Sequence, residues 1–172
     1  MAFQTDVKIK QAFGVVGELY DTSIRRVTPY KLAAASKIGR PAWLTAEGKA
    51  TGTYDSTLPL IGIFVNPKEY THKGNVAEVT LEMTADSIAQ VADLGHVNVL
   101  LNGNAKVGQD MYVLVEKGSA VTLELGTFVG ADAGSTPEAG SGTSAKTWVK
   151  VGKCVRAGGT AGEIAVLQIA VA

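Results

Sequence analysis

Only one cysteine, Cys154, occurs in the 172 residues, so an internal disulfide framework and a thiolate metal cluster are both excluded. Its surroundings, Val149-Lys150-Val151-Gly152-Lys153-Cys154-Val155, read as a half-buried strand, and nothing basic or His-rich is near to activate the thiol. Histidine is equally scarce. His72 and His96 stand alone, without the HxH or HExxH spacing of a metal site, so no metal is expected. Neither sign of charge is in excess, with 16 basic against 16 acidic residues, which argues against a nucleic-acid or membrane-surface partner. Long apolar runs are missing, and the N-terminus MAFQTDVKIK lacks the apolar core of a secretory signal. The expectation is therefore synthesis in a cytoplasm with no membrane span. There is no GxSxG, Walker A or GxGxxG motif, and Gly103-Asn104-Ala105-Lys106 lacks the Gly-Lys-Ser/Thr of a phosphate loop. The acids Glu82 and Glu124 read as parts of a solvated sheet face and Asp110 as a turn residue, so no catalytic constellation and no cofactor site is expected.

What the chain does have is glycine, 20 residues of it, spread among Val-, Ala- and Thr-rich segments with few charges. That composition suits strands joined by tight turns. Residues 95–131 hold three β-rich runs, at 97–101, 111–115 and 121–125, separated by Asn102-Gly103, by 107–110 and by Lys117-Gly118-Ser119. The third run, Val-Thr-Leu-Glu-Leu, alternates apolar and polar residues, as a sheet with one wet face requires. Further strands are expected at 42–44, 60–65, 147–151 with possible extension to Val155, and 164–170. Residues 30–37 suggest a short helical turn. Residues 84–94 fit one short helix, with Thr84 as N-cap, Ile88, Val91 and Ala92 on one face, and Gly95 as terminator, although 88–91 also suits a strand. The fold class expected is all-β: a compact β-barrel or β-sandwich with at most one short helix near 84–94.

The N-terminus differs from the rest. Phe3, Thr5, Val7 and Ile9 alternate with Gln4, Asp6, Lys8 and Lys10, giving one apolar and one wet edge. Such an isolated segment gains order by adding to a sheet, in its own subunit or a neighbour's. Residues 1–30 are thus expected to form an extended arm, with an ordinary first strand as the other reading. Residues 31–172 make a single β-rich domain, in which 131–144 has no apolar face to bury and forms an exposed loop.

From Ile38-Gly39-Arg40-Pro41-Ala42-Trp43-Leu44 onward the sequence resembles the structural cement (capsid decoration) proteins of tailed bacteriophages. The Gly-Arg-x-Ala-Trp segment, a turn-rich stretch and the Gly62-Ile63-Phe64-Val65 strand come in that family's order. The likeness resumes at Val107-Gly108-Gln109-Asp110-Met111-Tyr112-Val113, Gly126-Thr127-Phe128 and Val151-Gly152-Lys153-Cys154-Val155; Pro41 stands where the family often has another apolar residue. The resemblance implies a non-enzymatic virion protein on the outer surface of an icosahedral capsid. Its partners would be the major capsid protein and further copies of itself, as a homotrimer. On that reading the interface candidates are Phe3, Val7, Ile9 and Phe13 on the arm and the basic pair Arg25 and Arg26, with residues 1–20 joining a neighbour by strand addition. The alternative is a glycan- or host-surface-binding module using Trp43, Trp148 or Tyr54, and a small hydrolase is the least favoured reading.

Overall fold

A computed structural model of the chain describes residues 14–21, 24–66, 82–156 and 159–171. Among these residues the regular elements are strands, apart from one short 3-10 turn at Gly142–Ser144. In chain order the strands are β1 (Arg26–Lys31), β2 (Ser36–Lys37), β3 (Pro41–Leu44), β4 (Ala50–Thr51), β5 (Leu60–Val65) and β6 (Glu82–Met83). They continue with β7 (Ile88–Leu100), β8 (Asp110–Lys117), β9 (Phe128–Ala131), β10 (Lys146–Arg156) and β11 (Ile164–Ala170). One antiparallel sheet runs β4-β3-β5-β7-β11-β10-β8-β9, with β1 also paired to β7, while β2 and β6 form a separate two-stranded sheet. A bridge from Leu101 to Phe128 links the chain just past β7 to the far edge strand β9, so the β7-β11-β10-β8-β9 run returns to its own start. The all-β expectation is met.

The helix expected near 84–94 is not there; those residues form a turn and the first half of β7. Asp86 adopts a left-handed φ of 64°, which ends any helical turn started at Thr84. Ser87 instead donates backbone and hydroxyl hydrogen bonds to the Thr84 carbonyl, at 3.3 and 2.6 Å. The strand wins because β1 pairs with residues 88–94 and β5 with residues 90–92, and tertiary pairing overrides a weak helical periodicity. Burial fits a strand rather than a helix: Ala89 and Val91 are buried on one face and Ala92 on the other, whereas Ile88, assigned to the helical face, is 62% exposed. The helical turn expected at 30–37 is likewise absent, since its ends belong to β1 and β2. The third central run, 121–125, is not a strand either. The edge of β8 that it would need is occupied by β9 at Asp110, Met111, Tyr112 and Val113, and Leu114 exchanges backbone bonds with Thr127 and Gly126.

Two apolar clusters lie on opposite faces of the sheet. Ile63, Val65, Val97, Val99, Met111, Val113, Phe128, Leu167 and Ile169 belong to the larger one. Leu32, Ala42, Ala50, Phe64, Ala89 and Val91 form the smaller. Along β7 the parity of core-facing residues changes: Val91 faces the small cluster, whereas Val97 and Val99 face the large one. A regular strand would keep odd-numbered residues on one face, so the change locates an irregularity between them, where Gly95 has φ 133°.

Gly62 marks the closest approach of β5 to β7. A Cβ there would lie 2.2 Å from the Ala92 carbonyl oxygen, and φ is 148°. Backbone cannot yield as a side chain can. Gly62→Ala is expected to destabilise the fold by about 2–4 kcal/mol, read as a lower midpoint in urea unfolding with unchanged slope.

Candidate functional site

A pocket of about 740 Å³ opens where β2, β3, β6 and the end of β8 converge beneath residues 124–126. Its charged lining comprises Lys37, Arg40, Glu82, Glu116, Lys117 and Glu124, with Trp43 and Leu125 among the apolar groups. Arg40 is set by its backbone. Its carbonyl accepts from Phe64 N–H at 2.9 Å, the Gly39 N–H donates to the Phe64 carbonyl at 2.7 Å, and Pro41 then opens β3. The guanidinium is thereby held inside, with Arg40 only 5% exposed. Gly126 (φ 77°) lets residues 124–126 lie flat on its stem, since a Cβ at 126 would come within 2.9 Å of Arg40 Cδ.

The charges form a bridged triplet. Glu124 Oε1 accepts from Lys37 Nζ at 2.9 Å, and Glu124 Oε2 lies 2.8 Å from Arg40 Nη2. That second contact is close but off the hydrogen-bonding direction, and among the described residues Arg40 Nε and Nη1 have no acceptor. Burial pulls the Arg40 pKa below its usual value, opposed by the charge of Glu124. For Glu124 burial works upward, but Lys37 and Arg40 outweigh it and hold the carboxyl below its ordinary value.

Elsewhere the polar groups are structural. Arg26 Nε donates to both Asp93 carboxylate oxygens at 2.8 and 2.7 Å, and its Nη2 reaches the Val171 carbonyl at 3.5 Å, so this arginine fastens β1 to the strands beside it. Arg25 is exposed beside Gly95. Phe3, Val7, Ile9 and Phe13 lie outside the described residues, as does His72. The stretch after them is docked: Val16 is buried, and Gly17 and Tyr20 donate to the carbonyls of Asn98 and His96 at 2.7 and 2.8 Å. His96 Nδ1 lies 2.7 Å from Asp21 Oδ2. Among the described residues no group of three His, Cys, Asp or Glu side chains could hold a metal. Asp110 is buried at the start of β8 and accepts from Lys150 Nζ at 2.6 Å. Cys154 is buried in β10, where desolvation pushes its thiol pKa up, away from reactivity.

Trp43 is 3% exposed and packs edge-on against Tyr54 at 5.0 Å, so these two rings form core rather than a glycan platform. Trp148 Nε1 donates to the Glu138 carbonyl at 3.0 Å, and Tyr112 Oη donates to that of Ser135, also at 3.0 Å. Both tie the exposed 131–144 loop to the sheet. The Lys37–Arg40–Glu124 triplet escaped the sequence reading, which placed Glu124 on a solvated sheet face. The available signal was an arginine between Gly39 and Pro41 inside an otherwise apolar segment.

A family model described as structural cement protein (E217 gp24/Pam3 gp6) matches residues 3–170. A solved chain from the capsid of Myoviridae phage XM1 superposes with a TM-score of 0.61 at 17% identity, covering 99% of this chain and 98% of that one, which shows a shared fold. No match is found among curated proteins.

Because the folded pKa of Glu124 is depressed, its contribution to stability is complete above the unfolded value and is lost as pH falls through the folded one. Unfolding midpoints measured from about pH 6 down to about pH 2 should therefore fall less steeply in Glu124→Gln than in the parent.

Proposed function

Since this chain belongs to the structural cement protein family and is a phage capsid-associated structural protein, we propose that it binds the outer surface of an icosahedral shell between major capsid subunits and stabilises the expanded form. The observation that carries this reading is the extent of the family match, residues 3–170, which spans the N-terminal segment together with the whole β domain.

The physical basis is linkage. A protein that binds the assembled shell and not its dissociated subunits adds its binding free energy to the shell, about 2.7 kcal/mol per site at a free concentration one hundred times Kd. As a homotrimer, each assembly would engage several capsid subunits at once, so individually weak contacts suffice. The low charge fraction of 19% leaves a weakly polar surface suited to such contacts.

Arm residues Phe3, Val7, Ile9 and Phe13 supply the strand-like edge that joins a neighbouring subunit. The packing of Val16 and the backbone bonds of Gly17 and Tyr20 refine where the arm can be cut. Removing residues 1–20 would strip groups that the domain itself uses, whereas removing residues 1–13 spares them.

Co-pelleting with matured capsids tests this directly. The parent should sediment with shells and raise their disruption temperature, and chemical cross-linking on the shell should yield trimers. The chain lacking residues 1–13 should keep its near-ultraviolet circular dichroism and lose shell binding by at least about a hundredfold. A folded truncation that binds as well as the parent would remove the arm from the interface.

A further inference from the structure

We propose that the Arg40 pocket receives an acidic side chain from a neighbouring polypeptide, and that Glu124 is the internal carboxylate which this incoming group displaces. The inference deepens the functional reading above and rests on it for the identity of the partner as a polypeptide of the shell.

The first support is an unmet demand. Arg40 is only 5% exposed, yet among the described residues Nε and Nη1 have no acceptor and Nη2 has only an ill-directed one. A desolvated guanidinium presents a rigid fork of donors that matches a carboxylate bidentately. Among the described residues, the carboxylate that reaches it is divided, one oxygen to Lys37 and the other to Arg40. A second carboxylate, entering square to the fork, would complete what Glu124 leaves undone.

The second support is that Glu124 can leave. Its side chain is 49% exposed, and it belongs to the run 121–125 that stayed out of the sheet. Among the described residues, the N–H groups of Thr122, Leu123, Glu124 and Leu125 make no backbone hydrogen bond, and the run is held by side chains instead, Lys117 Nζ donating to the Leu123 carbonyl at 2.6 Å and the Thr127 hydroxyl to that of Glu124. Segments with so few ordered backbone bonds open at the low end of the local stability range. Leu125 is 46% exposed at the same mouth, an apolar side chain without a core position.

The third support is charge. With Glu124 in place, the lining has three cations, Lys37, Arg40 and Lys117, against three acids, Glu82, Glu116 and Glu124. Glu124 swung outward leaves three cations against two acids. The vacated pocket therefore favours an anion, and its 740 Å³ accommodates a side chain with flanking backbone.

The test uses the full chain carrying nitrogen-15 arginine, with the Arg40 Nε–H resonance identified through Arg40→Lys. The probes are acetyl-Glu-Glu-Glu-amide, its Gln counterpart, and glucuronate. The Glu peptide is expected to move the Arg40 resonance, with affinity at least about tenfold higher in Glu124→Gln than in the parent, while the Gln peptide leaves it in place. Equal affinity in the two proteins, no movement, equal movement by the Gln peptide, or movement by glucuronate alone would each overturn the proposal, the last by making the site one for acidic glycans. Shell binding provides a second readout: Glu124→Gln should bind about tenfold tighter and Arg40→Lys about tenfold weaker than the parent. If the parent fails to bind shells, the functional reading falls while the peptide titration still decides the pocket.

Discussion

A long strand with neighbours on both sides must pair the backbone groups along both edges, and β7 does so with four separate segments. β1 and β5 flank its first half, β11 runs along its second, and residues 17–20 pair with the stretch around Val97. These partners come from the beginning, the middle and the end of the chain. Unpaired buried backbone groups are costly, so the strand forms fully only when all four are in place. The two apolar clusters are then built on its faces, and the irregularity near Gly95 lets one strand serve both.

A consequence is that the N-terminal region is not independent of the domain. Val16, Gly17 and Tyr20 are fastened to β7, and Arg26 fastens β1 to Asp93 on the same strand. Anchoring residues 16–20 and 26 in this way orders the start of the described chain against β7.

The Arg40 cluster shows the opposite balance. Burying a guanidinium costs several kcal/mol unless its donors are satisfied, and here only one half-exposed carboxylate approaches it. The surrounding sheet holds the arginine in place regardless, through the backbone bonds of Gly39 and Arg40 with Phe64. Rigid strands thus maintain a local electrostatic deficit beside a poorly paired segment. Strand packing sets the position of the charge, and its partner Glu124 sits on a part of that wall not committed to the sheet.

Much of the β content was legible in the sequence. The runs at 60–65 and 164–170 coincide with β5 and β11, and the runs at 97–101 and 111–115 fall in or beside β7 and β8. Alternation of side chains and enrichment in β-branched residues are local properties, so they show in a short window. The misreadings at 84–94 and 121–125 arose because both segments satisfied a local pattern that their neighbours overruled. Residues 88–94 became strand since β1 and β5 supplied partners, and 121–125 did not since β9 already held the edge of β8. By itself, then, the sequence determined that the chain is β-rich, bears no evident catalytic motif and carries an alternating N-terminus. Only the tertiary structure decided which strands pair and that Lys37, Arg40 and Glu124 meet, because hydrogen-bond partners and the burial of a charge depend on residues far apart in the chain.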